Sequence, residues 1–287
     1  MQTMSKQTGY TIRTMTRQEI DLAVDWAAAE GWNPGLEDSE CFCRADPEGF
    51  LVGLMDGEPV ACISVVRYGK SFGFLGFYIV KPEYRGRGLG LAIWNAGLQR
   101  LEGRVVGLDG VVAQQHNYRK SGFTLAWRNI RCMGVSRVSR VNLEDAVPLS
   151  TIPFDELAAY DQAFFPDDRR AFLQCWTSRA GSYAFGIRQN DVLAGYGLIR
   201  PCRNGFKIGP LFADNSEFAE TLFRALESSV PEGSPIFLDI PEVNPAALEL
   251  VQRHSMSVVF ETARMYKGAA PQLPVERIFG ITTFELG

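Results

Sequence analysis

The chain has 287 residues, 46% of them hydrophobic and 22% charged, a length comfortable for two domains and a composition that excludes disorder. A net charge of −4 and a pI near 5.4 argue against a nucleic-acid partner. Residues 1–24 hold no apolar core of signal-peptide length, and no run approaches the ~20 apolar residues of a membrane span. The expectation is a cytoplasmic protein with no membrane partner. Six scattered cysteines, with Cys41 and Cys43 the one close pair, and two histidines offer no metal-ligand spacing. No metal is therefore expected, and the thiols are read as reduced.

Residues 10–16 alternate like a first strand. Over 17–31 the apolar residues Leu22, Trp26 and Ala29 recur at helical spacing until Gly31 stops the helix. A short helix is predicted over 36–45. Strands at 50–55 and 60–67 flank Asp56-Gly57, a pair that favours the tight turns of antiparallel hairpins. A strand at 72–80, a helix at 88–102, a strand at 104–109, a helix near 113–121 and a strand at 123–133 complete a first domain, 1–135. The stretch 136–150 lacks a strong period and reads as a linker to a second domain, 151–287.

In that second domain the order repeats. Helices are predicted at 153–165 and 167–179, then strands at 182–188, 192–200 and 205–212. A helix at 216–229, a strand at 235–240, a helix at 244–254 and a strand at 256–267 follow. PVACISVVR (59–67) lines up with VLAGYGLIR (192–200), and VGLDG (106–110) parallels IFLDI (236–240). A repeat of this length is too long for a solenoid and means two related domains. The tail VERIFGITTFELG alternates enough to be a last strand.

Between strand 72–80 and helix 88–102 stands Arg85-Gly86-Arg87-Gly88-Leu89-Gly90. Glycine weakens a helix start, so bare backbone has a use there. Unpaired N–H groups and the dipole at a helix N-terminus favour phosphate, and glycine lets a diphosphate come close. Arg85 and Arg87 add charge. The run lacks the Gly-Lys-Ser/Thr ending of a P-loop. With strand 72–80 it does not make the opening strand–glycine turn of a dinucleotide fold either, because three strands and two helices come before that pair. A tight turn before a packed helix accounts for the same glycines.

The order β-α-α-β-β-β-α-β-α-β, with Pro-Glu-Tyr-Arg-Gly-Arg-Gly-Leu-Gly opening the third helix, resembles the GNAT family of acetyl-CoA-dependent N-acyltransferases. Arg85, Gly88 and Gly90 match that family's Arg/Gln-x-x-Gly-x-Gly/Ala motif. Tyr118-Arg119-Lys120-Ser121-Gly122-Phe123 is similar to its Tyr-x-x-x-Gly-Phe element. The second half resembles the family in eroded form, with IGPLFADNSEF (208–218) where the cradle would stand and Ser255-Met256 in place of Gly122-Phe123. The pairing resembles a two-domain bacterial group with an intact N-terminal and a degenerate C-terminal domain. The fold class it implies is α/β (α+β): tandem GNAT folds, each a mixed, mostly antiparallel sheet flanked by helices, with one cofactor site per chain.

The resemblance implies an N-acetyltransferase with acetyl-CoA as co-substrate and a small primary amine as acceptor, joined by direct attack in a ternary complex. Arg85, Gly86, Arg87, Gly88, Leu89 and Gly90 would hold the diphosphate, and the main chain of Tyr78, Ile79 and Val80 the pantetheine arm. Asn117 would bind pantetheine or cap its helix turn. The Val80 amide is the natural oxyanion donor. Tyr118 matches the family's general acid, and an unperturbed phenol near pKa ~10 suits protonation of a thiolate; a tyrosine with its hydroxyl in water is the bland alternative. Some members carry a basic glutamate on the strand before the cradle, but FGFLGFYIV has no carboxylate. A water chain, and after it Asp109, are the candidates for the base. Asp239 at the matching place of the second half suggests that both aspartates stabilise a turn. His116 falls on a different helix face from Tyr118 and reads as solvated. For the acceptor, Trp32 offers a flat wall and Glu37, Asp38 and Glu40 negative charge, although acids also suit the first turn of a helix. The second domain is expected to cover this site. A homodimer stays open, as does a reading from another class: a non-catalytic acyl-CoA sensor or scaffold.

Overall fold

A capping box starts the fold. Thr16 accepts from the Glu19 amide while the Glu19 carboxylate accepts from the Thr16 amide, fixing the turn between β1 (Tyr10–Thr14) and α1 (Arg17–Ala29). The computed structural model describes residues 9–137 and 146–287, so most of the expected linker lies outside the described residues. After α1 come α2 (Asp38–Ala45), β2 (Phe50–Met55), β3 (Glu58–Tyr68), β4 (Phe72–Val80) and α3 (Leu89–Arg100). The first repeat closes with β5 (Val105–Val111), α4 (Gln115–Lys120) and β6 (Phe123–Val135). The second runs β7 (Ala146–Pro148), α5 (Phe154–Asp161), α6 (Arg170–Ser178), β8 (Tyr183–Gln189), β9 (Val192–Pro201) and β10 (Phe206–Ala213). It ends with α7 (Ser216–Glu227), β11 (Pro235–Pro241), α8 (Pro245–Arg253), β12 (Ser257–Lys267) and β13 (Ile278–Gly280).

Two elements differ from expectation. β7 stands inside the stretch read as linker, paired with β8. The tail is a strand over three residues only; 281–287 continue as buried irregular chain, because they pack beneath other elements instead of joining a ladder.

The strands form one sheet in the order β1-β2-β3-β4-β5-β12-β6-β11-β10-β9-β8-β7, with β13 added to β10. Pairing is antiparallel except for β4–β5 and β10–β11. The central pair is exchanged: β12, from the second repeat, lies beside β5, and β6, from the first, lies beside β11. Each would-be edge is thus covered by a strand of the other repeat, which satisfies its N–H and C=O groups.

Equivalent residues of the two repeats meet along this junction. Asp109 on β5 holds Arg264 on the exchanged β12, and Asp239 on β11 holds Arg131 on the exchanged β6 at 2.7 Å. The shared role of the two aspartates is therefore an ion pair to the exchanged strand, in place of the turn stabilisation expected from sequence. Phe42 of α2 stacks on Trp176 of α6, and beside them Cys41 and Cys175, 134 residues apart, are joined by a disulfide. That corrects the expectation of six reduced thiols: the repeat brings together two cysteines that no sequence spacing connects.

Burial raises the Tyr68, Tyr118 and Tyr196 phenols above the ordinary tyrosine range and pushes Tyr10 up to about 12. The folded chain keeps protons that the unfolded chain loses near pH ~10. Their contribution to stability is therefore whole below pH ~10 and is lost as the pH rises further. Thermal melts followed by circular dichroism should show Tm falling from pH ~9.5 to ~11; a flat Tm would mean that the phenols ionise within the native fold.

Candidate functional site

Parallel pairing of β4 with β5 stops at Leu75 opposite Leu108. Two residues later Phe77 has φ of +46°, a left-handed conformation costly for a bulky aromatic, and the β3–β4 register shifts at the same place. The bulge turns 76–80 away from β5. The strands splay, leaving an outer cleft of about 430 Å³ and, deeper between them, an inner cavity of about 50 Å³. Trp32, Tyr78, Val111 and Tyr118 line both.

The start of α3 opens on the outer cleft. Gly88 is its N-cap at φ +81°, Gly86 sits at φ +75°, and the helix has neither a side-chain cap nor an acid in its first turn. Its first amides therefore lack a side-chain cap and carry the positive end of the helix dipole. Gly86, Gly88 and Gly90 all line the cleft, and a Cβ at Gly90 would press on the Tyr78 hydroxyl and Val80. Arg85 donates to the Val80 carbonyl at 2.8 Å and to Glu30 at 2.5 Å, tying the loop to β4 and α1. The Arg87 guanidinium lies over the Tyr84 ring, and Leu89 is buried with its side chain in the core. Ile79 is buried too, and its Cα partner on β3 is Cys62.

Tyr118 is held in α4 by stacking on Trp94, with ring centroids 5.5 Å apart, and by the bare Cα of Gly110, where a Cβ would overlap its ring. Its phenol is not unperturbed. Burial, then the neighbouring Tyr78, hold it well above the ordinary range, so it is protonated at neutral pH. Asn117 points outward and donates to Gln114, which itself lines the cleft. His116 is exposed.

Of the residues considered for the acceptor, Trp32 lines both spaces, but the three acids do not join it. Glu37 is exposed and, with Glu40, lines a different groove beside Cys41. Asp38 is fully buried: burial opposes its ionisation, yet the Arg200 and Arg179 charges outweigh this and keep the carboxyl well below the usual range. Arg179 is 2.7 Å from it and Arg200 3.1 Å. Asp109 lines the inner cavity, with Arg264 donating to both oxygens and the Asn129 amide to one. A carboxylate so occupied is poorly placed to take a proton.

The inner cavity also receives residues that the sequence reading did not select: Phe260 and Thr262 from β12, and Phe284 and Glu285 from the tail. They belong to the second repeat and arrive on the exchanged β12 and on the tail, so no local motif marks them. In the second repeat the equivalent cleft is closed. β10 and β11 part after Ile208 and Leu238, but β13 pairs with Leu211 and Phe212, the counterparts of Tyr78 and Ile79. The Ile281 amide then donates to the Asp239 carbonyl of β11 at 2.8 Å. Asn215 caps α7 through the Phe218 amide.

One repeat is thus kept open and the other is filled by its own chain. The model described as "Acetyltransferase (GNAT) family" matches residues 16–123, and that of an "Acetyltransferase (GNAT) domain" matches 157–280. Holothin acyltransferase of Pseudoalteromonas is 33% identical over 99% of this chain and 97% of its own length. The uncharacterized N-acetyltransferase YitH of Bacillus subtilis is 27% identical over 65% of this chain and 66% of its own. A Pyrococcus horikoshii crystal structure, provisionally described as an acetyltransferase, is 25% identical with a TM-score of 0.83, covering 100% of this chain and 99% of that one. The chain belongs to the GNAT family of acyltransferases. Among the described residues no helix is long and apolar enough to cross a membrane.

Proposed function

We propose that the chain is an N-acetyltransferase that moves an acetyl group from acetyl-CoA to a small primary amine by direct attack in a ternary complex. The observation that carries this reading is the uncapped, glycine-lined start of α3 beside splayed strands, present in the first repeat and closed in the second. The relative named holothin acyltransferase supports the acyl-transfer part. The co-substrate supplies an activated thioester; the chain supplies position and charge. Amides at 86–91 hold the diphosphate, and the main chain of Tyr78, Ile79 and Val80 pairs with the pantetheine arm as an added strand would. The Val80 amide stabilises the oxyanion, and Tyr118 keeps its proton until a basic thiolate forms beside it. Closure of the second cleft by β13 gives one such site per chain.

The first measurement is a calorimetric titration with acetyl-CoA of the native chain and of Gly88→Glu. Wild type should bind near one equivalent. The variant, with a strained backbone and a carboxylate in the cradle, should bind at least ~100-fold more weakly through lost and repelled phosphate contacts. Equal binding by both would place the diphosphate elsewhere, and binding by neither would leave the fold as a scaffold.

A further inference from the structure

The tail does more than fill the second cleft. After β13 it passes Gly209 of β10, where a Cβ would overlap the carbonyls of Ile281 and Thr282, and reaches Gly76, the counterpart of Gly209 on β4. There the Glu285 carbonyl occupies the space a Cβ would need. Leu286 is fixed next to it, its carbonyl accepting from the Tyr68 hydroxyl at 3.1 Å. The tail thereby brings a carboxylate to the wall of the inner cavity, beside β4, which has none of its own.

Glu285 is 3% exposed and lines that cavity, and among the described residues neither of its carboxylate oxygens has a hydrogen-bond partner. Thr262, lining the same cavity, has a buried hydroxyl in the same condition, and so does Ser64 of β3, whose oxygen adjoins Gly76. Buried polar groups left unpaired cost stability and are rare, so two on the wall of one cavity, with a third behind Gly76, call for a polar occupant. The remaining walls, among them Leu75, Phe77, Leu108 and Phe284, are apolar. Asp109 cannot serve in its place, being taken by Arg264.

We infer that Glu285 is the catalytic base: its carboxylate receives the ammonium of a small apolar primary amine in the inner cavity and takes one proton from it. This rests on the acetyltransferase reading above and names the group that reading lacks. The proton moves from nitrogen to the Glu285 oxygen, leaving a neutral amine. Its lone pair forms the C–N bond to the thioester carbonyl carbon, and the C–S bond breaks with its electrons on sulfur. Tyr118 protonates that sulfur, and the second nitrogen proton restores the phenol directly or through water. The cavity of about 50 Å³ admits the amine-bearing end of a small molecule and few other atoms. Lys207, Arg131 and Arg200 face Glu285 with positive charge and Asp38 with negative; burial prevails and raises its carboxyl above the ordinary range, toward the pH where a base works best.

The test compares the full-length chain with Glu285→Gln and Glu285→Asp. CoA release from acetyl-CoA is followed with holothin, benzylamine and 2-phenylethylamine, and with putrescine as a polar control. The Gln variant should bind acetyl-CoA as wild type does, bind the productive amine at least tenfold more weakly without acyl donor, and lose ~10²–10⁴ in kcat. The acidic limb of its kcat/KM profile should vanish, and the Asp variant should recover part of the rate with that limb restored. A Gln variant that turns over at the wild-type rate with the wild-type pH profile overturns the inference alone. A wild type that releases no CoA with any amine overturns the acetyltransferase reading, and this inference with it. A faster rate with putrescine than with benzylamine and 2-phenylethylamine overturns the apolar acceptor.

Discussion

Replacing Arg131 with alanine should lower the unfolding free energy by about 3–5 kcal/mol, the usual cost of leaving one member of a buried ion pair uncompensated. Both Arg131 and Asp239 are almost wholly buried, and the pair joins the exchanged β6 to β11. Arg131 also donates to the Trp32 carbonyl at 2.6 Å and lies over the Phe284 ring, so its loss reaches the wall of the inner cavity. Denaturant unfolding measures the change. A loss below about 1 kcal/mol would mean that neighbouring Lys207 or water neutralises Asp239, and that the junction does not depend on the pair. Replacing Arg131 and Asp239 together with apolar residues of similar volume should be milder than Arg131→Ala, because no lone charge remains.

Tyr118→Phe should lower kcat by ~10²–10⁴ while leaving acetyl-CoA affinity within a few-fold of wild type. The ring stays, with its stacking on Trp94 and its fit against Gly110, and only the hydroxyl goes. Steady-state CoA release, read beside calorimetric binding, separates the two quantities. Full activity in the variant would remove the assigned acid and leave the cradle untouched. A parallel loss of affinity would mean that the hydroxyl holds the acyl donor and does not protonate it.

The order of elements was legible because hydrophobic period, Asp-Gly and the glycine run are local signals, and each repeat supplied a second copy to check against. Arg85, Gly86, Gly88, Gly90 and Tyr118, singled out from two short local runs, line one cleft; Leu89 of the first run is buried in the core instead. What escaped is non-local. Nothing in FTLAWRNIRCMGV states that it will pair with the strand of the other repeat, because the register of an exchanged strand is chosen by tertiary packing. Asp38, read as an acceptor-site acid or a first-turn helix acid, is at the centre of a buried cluster with two arginines from beyond residue 170. Glu285 had the weakest signal of all: one of two acids in a segment read as a strand, and structured largely as irregular chain.

The crossing of β6 and β12, together with the tail that passes from Gly209 to Gly76, bears on how such a chain can change over time. A duplicated gene whose second copy decays is ordinarily free to discard it. Here the decayed copy owns a strand of the surviving copy's sheet and part of its innermost wall, and the surviving copy lends a strand in return. Deletion of either would strip a ladder from the other. The worn half is therefore tied to the working one by topology and by the wall it lends, and its own cleft could close on its own polypeptide without undoing either.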